Sequence, residues 1–220
     1  VSWVFHDWNG SVADFHAADL LEKPERSAWI LNVAHDTVVL GSHQPDSDLN
    51  QGLAAQLGID VTRRNSGGGA VWLPAGDVVW IDLVIPAGDS LWTDDVRVAP
   101  LWVGELWRDA ITAVDPSLTN LEVVEGALRT DALGQKICFV SEGPGEVMCN
   151  GGKVVGISQR RNRNGARFQC CAYTALRLDG FAAVMGASGA DHERLIASHV
   201  PVQTERDALL ASMRALLQRL

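Results

Sequence analysis

The sequence predicts a mixed α+β domain, and three observations carry that prediction. Asp77 to Pro86 alternates Val78, Trp80, Asp82 and Val84 with Val79, Ile81, Leu83 and Ile85, so both faces are mostly apolar and the strand belongs at the centre of a sheet. A second β-rich group runs from Leu121 to Leu176. Helical periodicity is confined to the beginning, middle and end of the chain, with neither an internal repeat nor a linker.

Taken in order, Val12 to Lys23 is the first predicted helix, with Phe15, Leu20 and Leu21 among alanines and Pro24 closing the segment. Trp29 to Ala34 and Thr37 to Ser42 are two short strands about the turn-like His35-Asp36. Gln44 to Asn50, with Pro45 and its turn formers, is a loop before a brief helix from Gln51 to Leu57 that ends at Gly58. Asp60 to Arg64 is a strand leading into a run of glycines. Val98 to Val114 carries Leu101, Trp102, Leu106, Ala110 and Ile111 at helical spacing and stops at Asp115-Pro116, which assigns Trp102 and Trp107 to the core.

Leu121 to Leu128, Lys136 to Val140, Glu146 to Cys149, Lys153 to Gln159 and Arg167 to Leu176 are the strands of the second group. The third and fourth are joined by a hairpin turn at Asn150-Gly151-Gly152. Gly186 to Ala190 is a loop. Thr204 to Leu220 is a closing helix with Leu209, Leu210, Met213, Leu216 and Leu217 on its apolar face.

At 220 residues the chain can bury one good-sized core, and its formal net charge is −9. That charge repels polyanions at long range and argues against nucleic acid or an anionic membrane as partner. No apolar run approaches the ~20 residues of a membrane span, and no export leader is recognised, so a cytoplasmic location is expected. Arg160, Arg161, Arg163 and Arg167 beside Lys153 form a local basic cluster, either a grip on an anion or the charged edge of a hairpin. Cys138, Cys149, Cys170 and Cys171 show neither Cys-x-x-Cys pairing nor zinc-type histidine spacing, so they are expected as reduced thiols and no metal ligand is predicted.

Two segments carry chemistry. In RRNSGGGAVWL, Arg63 to Leu73, a strand end gives way to three consecutive glycines, which lose much backbone entropy on ordering and have no side chains to pack. Their backbone N–H groups can converge on a phosphate or carboxylate with Arg63 and Arg64 supplying charge, or they can simply form a tight turn. In NGGKVVGISQRR, Asn150 to Arg161, Lys153 follows a glycine turn at the head of an apolar strand. It either reaches an anion held by the glycine loop or is a solvated edge lysine. Familiar nucleotide motifs fail. Val147 and Val154 stand where a P-loop ending at Lys153 needs Gly and Ser or Thr, and Met148 stands where Gly143-Pro144-Gly145 needs its third glycine.

The order RRNSGGGAV then NGGKVVGISQRR resembles the lipoate-protein ligase and octanoyltransferase family, relatives of the biotin-protein ligases. VVLGSHQPDSDLN, Val38 to Asn50, is similar to the family's Gly-x-x-Gln strand and loop. The resemblance implies a mixed β-sheet with a smaller second sheet and flanking helices, a single catalytic domain over residues 1 to 220, and no C-terminal accessory domain.

It further implies ATP-dependent activation of lipoate or octanoate as an acyl-adenylate, with Mg as the companion ion, and transfer to a lysine of a lipoyl acceptor domain. That acceptor would belong to a 2-oxoacid dehydrogenase or glycine cleavage protein. By the resemblance, Lys153 holds the acyl carbonyl and phosphate oxygens. Ser66, Gly67, Gly68, Gly69 and Ala70 form the loop against the adenylate, and Arg64 neutralises phosphate. Val71, Val155, Gly156 and the strand around Asp82 line the aliphatic tunnel.

Departures from the family pattern are local. Trp72-Leu73-Pro74-Ala75-Gly76-Asp77 replaces the family's aromatic-His-Asp-x-Gly-Asn, and Gln169-Cys170-Cys171 replaces Gln-His-Gly. Cys138-Phe139, fifteen residues before Lys153, resembles the nucleophilic pair of one octanoyltransferase branch, and implies a rival route in which an acyl-thioester forms from octanoylated acyl carrier protein. A biotin-protein ligase and a ligand-binding relative without turnover remain alternatives.

Overall fold

The computed structural model describes residues 2–220. A large mixed sheet contains seven strands: β1 (Val4–Trp8), β2 (Ser27–Leu31), β6 (Val78–Pro86), β7 (Leu121–Val123), β8 (Val147–Cys149), β9 (Gly152–Arg161) and β10 (Gly165–Tyr173). Their spatial order is β1-β2-β6-β10-β9-β8-β7, antiparallel throughout except for the parallel β1/β2 pair. A smaller sheet of β3 (Thr37–Leu40), β4 (Asp60–Arg63) and β5 (Val71–Leu73) has the order β4-β3-β5. The helices are α1 (Val12–Ala17), α2 (Gln51–Gln56), α3 (Leu101–Val114), α4 (Ala132–Lys136), α5 (Asp179–Val184), α6 (Ala190–Ala197) and α7 (Arg206–Leu217).

The two-sided pattern of β6 has its predicted consequence, because β2 and β10 flank it and both faces are covered. Val79, Ile81, Leu83 and Ile85 pack with Val103 and Trp107 of α3 and Leu209 and Met213 of α7. Trp80 and Val78 face the other way, into a core shared with Phe15 of α1, Val39, Val71 and Leu73 of the small sheet, and Tyr173. The space between the two sheets is therefore bounded by one face of β6, β10 and β9. Asn150 and Gly151 both have positive φ, as a two-residue type I′ hairpin turn requires, and they join β8 to β9 where predicted.

Several elements differ from expectation. The first helix stops at Ala17 because Arg167 reaches across from β10 and takes the carbonyls of Phe15 and Ala18, while the Asp19 carboxylate accepts from Leu21 N. Lys136 to Val140 is no strand: α4, capped by Asp131, ends there and a 3-10 turn over Cys138–Val140 follows. The backbone groups that a strand would have offered are used by the glycine loop, with Ala70 N donating to Lys136 O and Cys138 N to Ala70 O. The strand expected from Leu121 to Leu128 covers only Leu121–Val123. β1, β5, α5 and α6 were not anticipated. Among the described residues, no helix is long and apolar enough to cross a membrane.

Candidate active site

Arg64 is buried at the end of β4 and turned inward. Its Nε donates to Ser66 Oγ at 3.0 Å, one terminal nitrogen to Val39 O at 3.2 Å, and the other to Gly67 O at 2.7 Å and Gly69 O at 2.9 Å. Five donors in a rigid fork suit this task, and the guanidinium braces the glycine loop from within rather than standing open to a ligand. Arg63 is likewise engaged, on Gln44 O at 2.7 Å and on Asp46. Gly69 is required by close approach: a Cβ there would lie 2.7 Å from Ile137 N. Gly67 has nothing within 4 Å of the corresponding point and opens onto a groove of about 540 Å³.

That groove is also lined by Gln44, Asp48, Thr130, Lys136 and Ser141. Gln44, from the Gly-x-x-Gln segment, is buried and ties its wall together, accepting from Gly41 N at 3.2 Å and donating to Lys136 O at 2.9 Å. A single carboxylate faces the groove, so a magnesium ion there would be held chiefly by the phosphates of a bound nucleotide. Asp48 is the carboxylate on the groove and accepts from Gln44 Nε2 at 3.2 Å, and no group of three His, Cys, Asp or Glu residues among those described comes together to hold a metal.

Lys153 is fully buried at the start of β9. Its Nζ donates to Cys138 O and to Glu146 Oε1, each at 2.8 Å, and lies 5.3 Å from the Phe139 ring centre. Glu146 is held in turn by Gly143 N at 2.6 Å and Ile157 N at 3.3 Å. Burial raises the Glu146 carboxyl pKa above the ordinary carboxylate value, against the opposing pull of Lys153. Beside them, His199 stacks on Phe139 at 4.6 Å and hydrogen-bonds Leu195 O through Nδ1 at 2.7 Å. Burial lowers its pKa to about 4, so the ring is neutral with the proton on Nδ1.

A narrow, nearly closed cleft of about 10 Å³, room for little more than one water molecule, joins the two sequence motifs. Its lining includes Arg64 and Val71 from the glycine-loop side, Cys138 and Phe139, Gly156 and Ser158 from β9, and Trp80 from β6. Val155, expected in this wall, instead packs into the α3 and α7 core, and Gly156 takes its part. Gly156 must be glycine here, because a Cβ would stand 2.9 Å from the Phe139 ring. Cys138 is half-buried in the wall, whereas Cys149, Cys170 and Cys171 are buried, and burial raises the Cys170 and Cys171 thiol pKa values well above normal. All four are free thiols.

One wall of the cleft is polar, with its bond directions fixed. Arg64 can only donate, so Ser66 accepts from it and donates to Gln169 Oε1 at 2.6 Å. The Gln169 amide then donates to His16 Nδ1 at 3.1 Å. Burial lowers the His16 pKa to about 3, so its ring is neutral and the proton is on Nε2. Glu146, His16 and His199 carry no signal in the sequence, and Gln169 is visible there only as the first residue of Gln169-Cys170-Cys171. His16 and Gln169 meet over a separation of 153 residues, which no local pattern announces. Of the basic cluster, Arg167 is internal, paired with buried Asp82, and Arg161 lies 4.1 Å over the Trp92 ring.

Solved structures of lipoate-protein ligases share this two-sheet α+β fold. A Thermoplasma acidophilum lipoate protein ligase with bound lipoic acid superposes with a TM-score of 0.67 at 16% identity, over 98% of this chain and 85% of that one. The bipartite ligase of an archaeal lipoylation system from the same organism, described with its E2 lipoyl domain, gives 0.61 at 15% identity over 98% and 83%. Lipoate-protein ligase A bound with ATP gives 0.61 at 16% identity over 98% and 85%. No curated protein sequence matches the chain. The family model of the lipoyl protein ligase A/B catalytic domain matches residues 11–204, and the chain belongs to that family.

Proposed function

We propose that the protein activates lipoate or octanoate with ATP and attaches it to a lysine of a lipoyl acceptor domain. The observation that carries this reading is the buried Lys153 ammonium, held by Glu146 and by the backbone carbonyl of Cys138, a residue of the cleft wall. The acid's tail would enter between the cleft walls, which must part to admit it, and the nucleotide would lie in the groove. The carboxylate attacks the α-phosphorus of ATP and pyrophosphate leaves. The acceptor amine then attacks the acyl carbon, and AMP leaves with the bonding pair. In both steps negative charge grows on oxygens near the carboxyl end, where a desolvated, fixed ammonium is most effective. Gly67 and its neighbours offer bare backbone to the adenylate, while Arg64 keeps the loop in shape.

A second reading has one observation in its favour: Cys138 exposes a thiol to the same cleft and its own carbonyl receives Lys153. Its thiolate would take an octanoyl group from an acyl carrier protein thioester, releasing the carrier thiol, and pass it to the acceptor amine. The deciding experiment is the intact mass of an apo lipoyl domain after incubation with the protein. A lipoyl or octanoyl gain that requires ATP supports the ligase. Gain only from octanoyl carrier protein supports the transferase, and no gain under either condition overturns both.

A further inference from the structure

We propose that Arg160 is a docking contact for the acceptor domain and takes a carboxylate on that domain's surface near the lysine to be modified. This rests on the reading that the protein passes an acyl group to a lipoyl domain, and it names the surface that domain meets. Gly156, Ser158 and Arg160 alternate along β9 and pair in register with Cys171, Gln169 and Arg167 of β10, so all six positions belong to one face of the sheet. The first two pairs line the cleft. The third pair lies about 7 Å farther along the strands. Arg160 is part of the lining of neither the cleft nor the glycine-loop groove, which places it on the rim, outside both small-molecule sites.

Arg160 stands directly opposite Arg167, and like charges facing each other across a strand pair destabilise a sheet. Arg167 turns inward to Asp82, Phe15 O and Ala18 O. Arg161 is spent on the Trp92 ring and on Thr93 O at 2.8 Å. The half-buried Arg160 guanidinium makes no ion pair or hydrogen bond among the described residues, and exposed Arg163 at the hairpin tip is likewise unpaired. A charged hairpin tip accounts for Arg163 but not for a second arginine set against Arg167 on the cleft face. A planar fork of donors with no internal acceptor matches a carboxylate. The net charge of −9 does not oppose this, because charges more than about 8 Å away are screened at physiological ionic strength. The same net charge repels a polyanion, which would extend past the patch, and leaves a protein surface with a local carboxylate as the occupant.

Equilibrium binding of an apo lipoyl domain to the full chain, followed by calorimetry at low salt and at about 0.3 M salt, tests the assignment without requiring turnover. The acceptor KM in the mass assay gives the same comparison where binding is too weak to titrate. Arg160→Glu should weaken binding at least about tenfold at low salt and flatten its salt dependence. Arg160→Gln, which only deletes the charge, should weaken it by about threefold and serves if the glutamate disturbs the fold. In both variants octanoate affinity should match wild type and the urea midpoint should not fall, because the side chain touches neither small-molecule site and has no internal partner to lose. If both variants bind the domain as wild type does, or lose octanoate instead, the docking assignment falls while the acyl-transfer reading stands on its own mass measurement. If wild type neither binds nor modifies the domain, both fall.

Discussion

Lys153 and Glu146 stand seven residues apart on either side of the β8/β9 hairpin, and their side chains meet at 2.8 Å with both groups buried. Lys153→Ala should lower acyl transfer to the lipoyl domain at least about a hundredfold, the usual cost of removing a fixed donor to a developing oxyanion. Glu146→Gln keeps an acceptor for the ammonium but loses its charge, and should cost less, about tenfold. Breaking a buried pair ordinarily costs about 3–5 kcal/mol. Burial already raises the Glu146 pKa, so the lone carboxyl can take up a proton, and the Lys153→Ala loss should fall at the low end of that range. Urea unfolding of the variant checks this.

Cys138 separates the two chemical routes. Under the ligase reading its thiol is only part of the cleft wall, so Cys138→Ala should keep ATP-dependent transfer within about twofold, a small cavity being the sole change. Initial rates of acceptor mass gain measure it. Complete loss of transfer would instead assign a covalent thioester to this thiol.

The fold was legible where one physical signal dominated. The two-sided apolarity of β6 required sheet on both edges and helices or sheet on both faces, and Asn150-Gly151 required the hairpin. Short elements were misread where tertiary bonds outcompeted local pattern, as with Lys136 to Val140, whose backbone pairs with the glycine loop. The candidate site was legible as two motifs, because glycines with no packing role and a lysine heading an apolar strand are conspicuous. Its buried supports were not. Gln169 reads as one residue of a strand, and only the register of β10 against β9 brings it beside Ser158.

Arg64 was expected to meet phosphate, and it is spent on the loop's own carbonyls. Arg64→Ala would strip donors from Val39 O, Gly67 O, Gly69 O and Ser66 Oγ together, and should destabilise the protein by at least about 3 kcal/mol. Arg64→Lys restores charge without the fork and should recover only part of that. Chemical denaturation of both variants beside wild type provides the ranking.

The two buried histidines make stability depend on pH in a defined direction. His199 has its pKa lowered to about 4, and His16 to about 3, both through burial, while in the unfolded chain each titrates near 6.5. Between those limits the unfolded chain binds more protons than the folded one, so stability is fully present above pH ~6.5 and is lost as pH falls toward 4, then 3. A shift of that size at His199 alone corresponds to roughly 3 kcal/mol at full extent. Wild type should therefore unfold at markedly lower urea concentration at pH 4.5 than at pH 7.5. In His199→Phe, which keeps a ring stacked on Phe139 but cannot take up a proton, the fall over that interval should shrink. An unchanged fall in the variant would assign the acid sensitivity to other groups.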